Sequence, residues 1–397
     1  MDAACGEDSL QVTSSFRTDS PVGEEEAHLY VERAEDRRIA ADIGRGRYVT
    51  LLGARRTGKT SLLLKLRREL LGEGHVPVYV DLSLIGDANE DAWYRYLTGI
   101  LDAGLNAETR AGGVGQIRDS VAFRQVLARV SRHLQPSRQV VFLLDELGAL
   151  PLALLESALS TIRAMFNERK TSPEFRRYRF VMAGNFDPDD LVPESGISPF
   201  KVTSRIYTSD TGRDGVAEVV RHLERSGFLV CDEVVSAVYH WTGGDLYLTQ
   251  RLCSLLERTQ ANSITRQLLA RAVYDVISDE AVRDVIQRLH RWPEGRRAVR
   301  RILTGTAALN FNRASHIVSR LELIGVIRSD DAGYCAVRNE VYRKALLEWY
   351  GGLELRAGEN RRGYGPLLPT KGAIGTGSPS GTQIGLASAM SSGTMVA

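Results

Sequence analysis

An α/β fold, with a parallel sheet covered by helices on both faces, is what the chain predicts, and three observations carry that expectation. Short, nearly unbroken apolar runs alternate with amphipathic helical stretches through the first half of the 397 residues. The first of these runs feeds a glycine-rich loop that opens a helix. After about Ser209 the strand-like runs stop and helical spacing takes over. Strands that are apolar throughout need cover on both sides, as parallel sheets have.

The elements follow in order. RYVTLLG (47–53) reads as a buried strand and GKTSLLLKLRRELL as the helix behind it. VPVYVDLS is a second strand and DAWYRYLTGILDAGL (91–105) a helix. AETRAGGVG (107–115) is a glycine-rich loop before the amphipathic VAFRQVLARVSRHL (121–134). QVVFLLDE (139–146) is a strand that ends in two acids, PLALLESALSTIRAMF (151–166) a helix, and RYRFVMAGN (177–185) another strand. Four helices with i, i+3, i+4 apolar spacing come next: GVAEVVRHLERSG, DEVVSAVYHWTGG, LYLTQRLCSLLERT and TRQLLARAVYDVIS. From about Glu280 a new unit begins, with helices over 281–291 and 295–304, then RASHIVSRLELIGVI (313–327). Two short strands, GVIRSD and YCAVRN, flank a turn at Asp330–Gly333 before the last helix, EVYRKALLEWY. Helices followed by strand, turn and strand predict a winged helix-turn-helix.

Gly53-Ala54-Arg55-Arg56-Thr57-Gly58-Lys59-Thr60 has the G-x-x-x-x-G-K-[ST] spacing of a P-loop. Glycines let successive backbone N–H groups face inward, and the helix that starts near Gly58 adds its positive end. Lys59 is expected to reach the β- and γ-phosphates, Thr60 to ligate Mg²⁺, and Ser61 to meet the α-phosphate. The strand QVVFLLDE delivers Asp145 and Glu146 to the carboxyl edge, where open α/β sheets bind ligands. Asp145 is then a Mg²⁺ acid and Glu146 the group that orients an attacking water. Asn185 is either a γ-phosphate contact or a turn residue before Asp187-Pro188, and Asp81 either a site acid or a cap. Arg55 and Arg56 read equally as a solvated pair or as contacts to phosphate or to the winged helix.

The chain divides at 1–26, a polar N-terminal segment expected to be disordered; 27–210, the P-loop domain; 211–280, a helical lid; 281–353, the winged helix; and 354–397, a flexible tail. A formal net charge of +2 sets no global demand for a polyanionic partner. The four cysteines form no CxxC pair, so no disulfide framework or zinc site is expected. Cys231 and Cys253 are expected in helix cores, Cys335 in a strand, and Cys5 in the loose N-terminus. With no signal-peptide pattern and no apolar stretch near the ~20 residues of a membrane helix, a cytoplasmic protein is expected.

LYVERAEDRRIAADI, YVTLLGARRTGKTSLLLKL, VYVDLS, DAWYRYL, VVFLLDELGAL, FVMAG, ISPF and YHWTGGDLYLTQRLC occur in one order. In that order they resemble the bacterial AAA-like P-loop ATPases of the STAND group, signal-transducing ATPases with numerous domains that include NACHT and NB-ARC switches. The resemblance spans roughly residues 27–350. It implies that Tyr30, Val31 and Arg33 close over the adenine of ATP, and that the winged helix packs back on the nucleotide. It further implies slow hydrolysis, oligomerisation on activation, and a place in bacterial conflict or antiphage immune signalling. Two departures stand out. The lid block Gly243-Gly244-Asp245-Leu246 lacks the proline of Gly-x-Pro, and Ser198-Pro199-Phe200-Lys201 has lysine where asparagine is usual. Arg205 is a weak candidate for an arginine finger.

An alternative is a DNA-associated ATPase acting through the winged helix, with Arg313, His316 and Arg320 on the candidate recognition helix and Arg296, Arg297, Arg300 and Arg301 before it. In the tail, Gly381-Thr382-Gln383-Ile384-Gly385, followed by Ala387, Ser388 and Met390, resembles the Gln-hydrophobic-Gly core of amyloid signalling motifs such as the RIP homotypic interaction motif. Stacked in register, Gln383 forms an amide ladder and Ile384 a dry zipper. A partner effector with the same core is implied; an inert low-complexity tail is the other reading.

Overall fold

A computed structural model describes residues 15–86, 89–105, 114–188, 199–259, 261, 263–306 and 308–351. The tail motif, Cys5, Ser198 and residues 107–113 of the glycine-rich loop lie outside the described residues.

Five strands form one parallel sheet: β1 (Tyr48–Leu52), β2 (Val76–Asp81), β3 (Val140–Asp145), β4 (Tyr178–Gly184) and β5 (Thr203–Tyr207), in the order β2-β3-β4-β1-β5. Alternate residues feed two cores. Tyr48, Phe142 and Phe180 face one side with α3 (Glu90–Leu105), α4 (Ser120–His133) and α5 (Leu152–Glu168). Val49, Leu51, Val141 and Val181 face α1 (Ala34–Gly44) and α2 (Lys59–Gly72) on the other. Phe142 and Phe180 stack with ring centroids 4.8 Å apart across neighbouring strands. β5 was not among the expected strands. It is an edge strand in which only Ile206 is buried, so TSRIY lacks the apolar run that marks the others.

After the sheet come α6 (Arg213–Arg221), α7 (Asp232–Thr242), α8 (Leu246–Glu257) and α9 (Arg266–Ile277). Then α10 (Glu280–His290), α11 (Pro293–Thr304) and α12 (His316–Ile324) lead into the antiparallel hairpin β6 (Ile327–Ser329) and β7 (Cys335–Val337), closed by α13 (Glu340–Trp349). Side-chain caps start several of these helices: Asp245 accepts from the Leu248 N–H at 3.0 Å, Asp279 from Ala281 at 2.9 Å, and Asn339 from Tyr342 at 3.0 Å. The expected boundary at 280/281 is not a packing boundary. One apolar core runs from Val216 through Leu252 and Val273 to Val299, Leu321 and Leu346.

Two further expectations are corrected. Residues 15–26, polar in sequence, are seated on the folded body: Phe16 is 3% exposed within the helical core, and the Arg17 N–H donates to Gln250 Oε1 at 2.8 Å. One buried aromatic and a few backbone donors anchor a segment whose composition gives no sign of it. Cys231 is exposed at the N-cap of α7, ahead of the helix's apolar stripe, whereas Cys253 and Cys335 are buried. No described helix is long and apolar enough to cross a membrane.

The C-terminal module of α10–α13 is fastened to the rest by a buried ion cluster. Arg338, after β7, pairs with Asp245 at 3.0 Å and, through Nε, with Asp210 at 3.0 Å. Burial works against its charge, but the two carboxylates outweigh that and hold the guanidinium above its ordinary value. Gly244 completes the joint. Its φ is +87°, and a Cβ there would lie 1.9 Å from the Thr211 carbonyl oxygen. The lid turn thus docks on backbone, where a proline was missed in the sequence. Arg338→Met leaves two carboxylates buried without their partner, an arrangement that costs about 3–5 kcal/mol. A matching fall in urea-unfolding free energy is expected; a loss below about 1 kcal/mol would remove the cluster from its fastening role.

Candidate active site

The P-loop leaves β1 at the carboxyl edge of the sheet and ends in α2, whose N-cap Gly58 has φ +79°. Inside it, the Thr57 hydroxyl donates to the Ala54 carbonyl at 2.9 Å and receives a bond from Thr208 at 2.9 Å. Lys59 is 5% exposed and folded onto its own loop, donating to the Gly53 and Ala54 carbonyls at 3.1 and 2.8 Å. Burial strips water from its ammonium and pulls the pKa down to about 8, against the attraction of Glu146 and Asp145.

A cavity of about 330 Å³ opens on this loop, lined among others by Tyr30, Val31, Arg33, Arg56, Gly58, Lys59, Thr60, Ser61 and Glu146. Its size suits a nucleotide-scale ligand. Arg33 donates to the Thr57 carbonyl at 2.8 Å and to Ser209 at 3.3 Å, and so braces the loop against the strand-end segment after β5. Tyr30 is oriented by donating to Asp36 at 2.6 Å.

Asp145 ends β3, 2% exposed, and accepts from Tyr79 Oη at 3.0 Å and from the Glu146 N–H at 3.0 Å. Burial and this carboxylate together raise the Tyr79 phenol far above its ordinary pKa, so it stays a donor. Glu146 occupies a left-handed backbone conformation, φ +50° and ψ +46°, which turns its side chain towards the cavity and away from the strand direction. The Thr60 hydroxyl and Asp145 carboxylate are hard oxygen donors, a set that suits Mg²⁺.

Asn185 follows β4 at the same sheet edge but does not line the cavity; its amide donates to the Leu323 carbonyl at 2.8 Å. Of its two sequence readings, phosphate contact or turn residue, this arrangement commits the amide to α12. Asp81 caps the turn after β2 through the Ser83 N–H and hydroxyl. Arg55 and Arg56 project from the loop tip, and Arg56 lies 4.7 Å from the Tyr247 ring centroid.

One contributor escaped sequence reasoning. Residues 17–22 wall the cavity, and the Val22 N–H donates to Ser61 Oγ at 3.0 Å. Nothing in their polar composition signals this. The C-terminal module also approaches the P-loop. At Gly325, which caps α12, an added Cβ would lie 2.8 Å from the Ala54 Cβ. Ser319 donates to Asp187 at 2.5 Å, and Arg313 stacks 4.0 Å from the Tyr207 ring.

A sequence family described as an AAA-like domain matches residues 19–348. An uncharacterized WD repeat-containing protein of Synechocystis is 26% identical over 275 residues, 64% of this chain. The chain spans only 22% of that relative's length. Among solved structures, the Walker-type ATPase of Pyrococcus abyssi superposes with TM-score 0.60 at 14% identity, over 84% of this chain and 99% of that one. It shares the fold. Cdc6p of Pyrobaculum aerophilum gives TM-score 0.45 at 16% identity, over 83% and 99%.

A lysine whose pKa lies near 8 when the loop is empty, and near its ordinary value beside phosphate, takes up a proton on nucleotide binding. At pH 8.5 calorimetry of ADP binding in buffers of different ionisation enthalpy should report an uptake of roughly 0.7 proton. At pH 6.5, where Lys59 is already protonated, its share vanishes. Equal uptake at both pH values would assign the proton to another group.

Proposed function

The chain belongs to the AAA-like domain family, and from that premise we propose that it is an ATP-controlled signalling switch of the STAND type whose C-terminal module, a winged helix, closes on the P-loop at rest. Its chemistry is that of a P-loop ATPase. Lys59 holds the β- and γ-phosphates, and the N–H groups of residues 53–58 cradle them. Thr60 and Asp145 hold Mg²⁺, which neutralises phosphate charge when bound. Glu146 orients the attacking water, with Asp145 fixed by Tyr79. Tyr30, Val31 and the 17–22 strap wall the cavity together with the loop.

One observation carries the switch reading. The element that packs against the P-loop is the same one that Arg338 ties to the lid and to the strand-end segment after β5. A change of phosphate occupancy moves the loop, and the loop's neighbours are α12 and its joint. Nucleotide state and module position are then linked free energies, each biasing the other. A working cycle of mechanical strokes has no comparable support.

Opening would free the chain to oligomerise in the cytoplasm and to cluster its tails. Clustered Gln383-Ile384-Gly385 segments would template the same stacked fold in a partner effector, since clustering raises local concentration past a nucleation barrier. The antiphage role rests on the resemblance to STAND ATPases; the WD repeat-containing relative is a longer chain that shares this region. The alternative of DNA recognition by α12 is weakened by where its side chains go. Arg313 pairs with Glu322 at 2.6 Å and stacks on Tyr207, Arg320 lies over Trp292 at 4.5 Å, and His316 meets the same ring edge-on.

Glu146→Gln is expected to keep ATP binding and to slow hydrolysis by about 10²–10⁴-fold, measured as phosphate release; unchanged turnover would show that Glu146 does not orient the water. A peptide of residues 372–397 is expected to form thioflavin-T-positive fibres that seed fresh peptide. A peptide that stays monomeric at high concentration would sink the tail's signalling role.

A further inference from the structure

On the side of the P-loop that faces α10, a second cavity of about 540 Å³ adjoins the nucleotide pocket. The loop contributes Arg55 and Arg56 to it, α8 contributes Tyr247, and α10 contributes Arg283 and Arg288. Pairing sorts these charges. Arg288 is neutralised by Asp284 at 2.8 Å, and Arg338 at the cavity floor by Asp210 and Asp245. Arg55 and Arg283 have no ion-pair or side-chain hydrogen-bond partner among the described residues, and Arg56 has only the Tyr247 ring. Three guanidiniums thus face a lining in which Glu280 is the one acid without a partner among the described residues.

The position of Arg56 is maintained at a cost. Its φ is +63°, a conformation that bulky residues adopt rarely and that clusters at ligand clamps. What holds it is a relay: Arg56 stacks on Tyr247, Tyr247 donates to Asp279 at 2.8 Å, and Asp279 caps α10 and accepts from Arg251 at 2.8 Å. The relay keeps a cation poised between two cavities, since Arg56 lines both.

We propose that this second cavity is an anion site separate from the nucleotide pocket, built for a diphosphate group, with Arg55, Arg56 and Arg283 as its ligands. Guanidinium forks match phosphate oxygens two at a time, and the surplus of two cations over Glu280 offsets most of the charge of a diphosphate. Because two of the three ligands belong to the loop that cradles ATP, occupancy of either site changes the affinity of the other by the same factor. The proposal stands apart from the switch reading, needing only that the two cavities can be filled at the same time.

The test uses the full chain saturated with fluorescent ADP and Mg²⁺, so that the P-loop is filled, and then titrated with inorganic pyrophosphate by calorimetry. One further equivalent is expected, weakening as KCl rises, with the fluorescent ADP still bound. Arg283→Glu is expected to weaken that equivalent tenfold or more and to leave the first ADP equivalent unchanged. Arg283→Gln should give an intermediate loss, and unaltered melting of both variants confirms that they fold. A parallel titration with ADP beyond the first equivalent distinguishes the source. A saturable second ADP shows a diphosphate carried on a nucleotide, and binding of pyrophosphate alone shows a free one. The proposal is overturned by the absence of a further equivalent in both arms, by displacement of the bound ADP, or by unchanged binding in Arg283→Glu.

Discussion

The architecture of this chain turns on one buried cation. Arg338 joins three parts of the sequence: Asp210 beyond the last sheet strand, Asp245 in the lid turn, and the hairpin-to-helix junction of the C-terminal module. A charge out of water is tolerated only where opposite charges are fixed around it. Paired charges at about 3 Å with fixed directions set one position, so Gly325 meets Ala54 and Leu323 meets Asn185 in register.

The sheet and its covering helices were legible because burial on both faces leaves a plain signature. Val140–Asp145 and Tyr178–Gly184 are apolar runs buried from end to end. β5 was illegible for the converse reason: at the edge, with polar residues facing partly outward, it looks like loop. The P-loop and the Asp145-Glu146 pair were legible because their chemistry constrains residue type at fixed spacing. Long-range partnerships do not. Arg338 sits in the unremarkable stretch YCAVRN, and Asn185, open in the sequence between a phosphate contact and a turn residue, gives its amide to a backbone carbonyl 138 residues away. Lid and C-terminal module looked like two units because a change of local pattern marks a change of element, and carries no information about which cores fuse.

The two arginines at the loop tip show how a motif with free positions acquires individual character. The P-loop pattern requires glycine, lysine and threonine, and leaves four positions open. Here the third of those carries a side chain in left-handed backbone geometry, held by an aromatic ring from the lid. The loop is thereby attached to its surroundings at both ends and at its tip: Arg33 at Thr57, Gly325 at Ala54, Tyr247 at Arg56. A phosphate cradle anchored in this way is shaped by three neighbours as well as by its own glycines.

The strap of residues 15–22 has a consequence for the order of biosynthesis. Its backbone donors reach Gln250 and Glu257 across 233 and 242 residues of sequence. Contacts of such separation close last, because the chain entropy they cost is repaid only when both ends are in place. During vectorial synthesis the sheet and P-loop can assemble while the lid is still inside the ribosome, and the nucleotide pocket then has a floor without a side wall. Closure of the pocket on that side is thus withheld from every nascent chain too short to include Gln250 and Glu257.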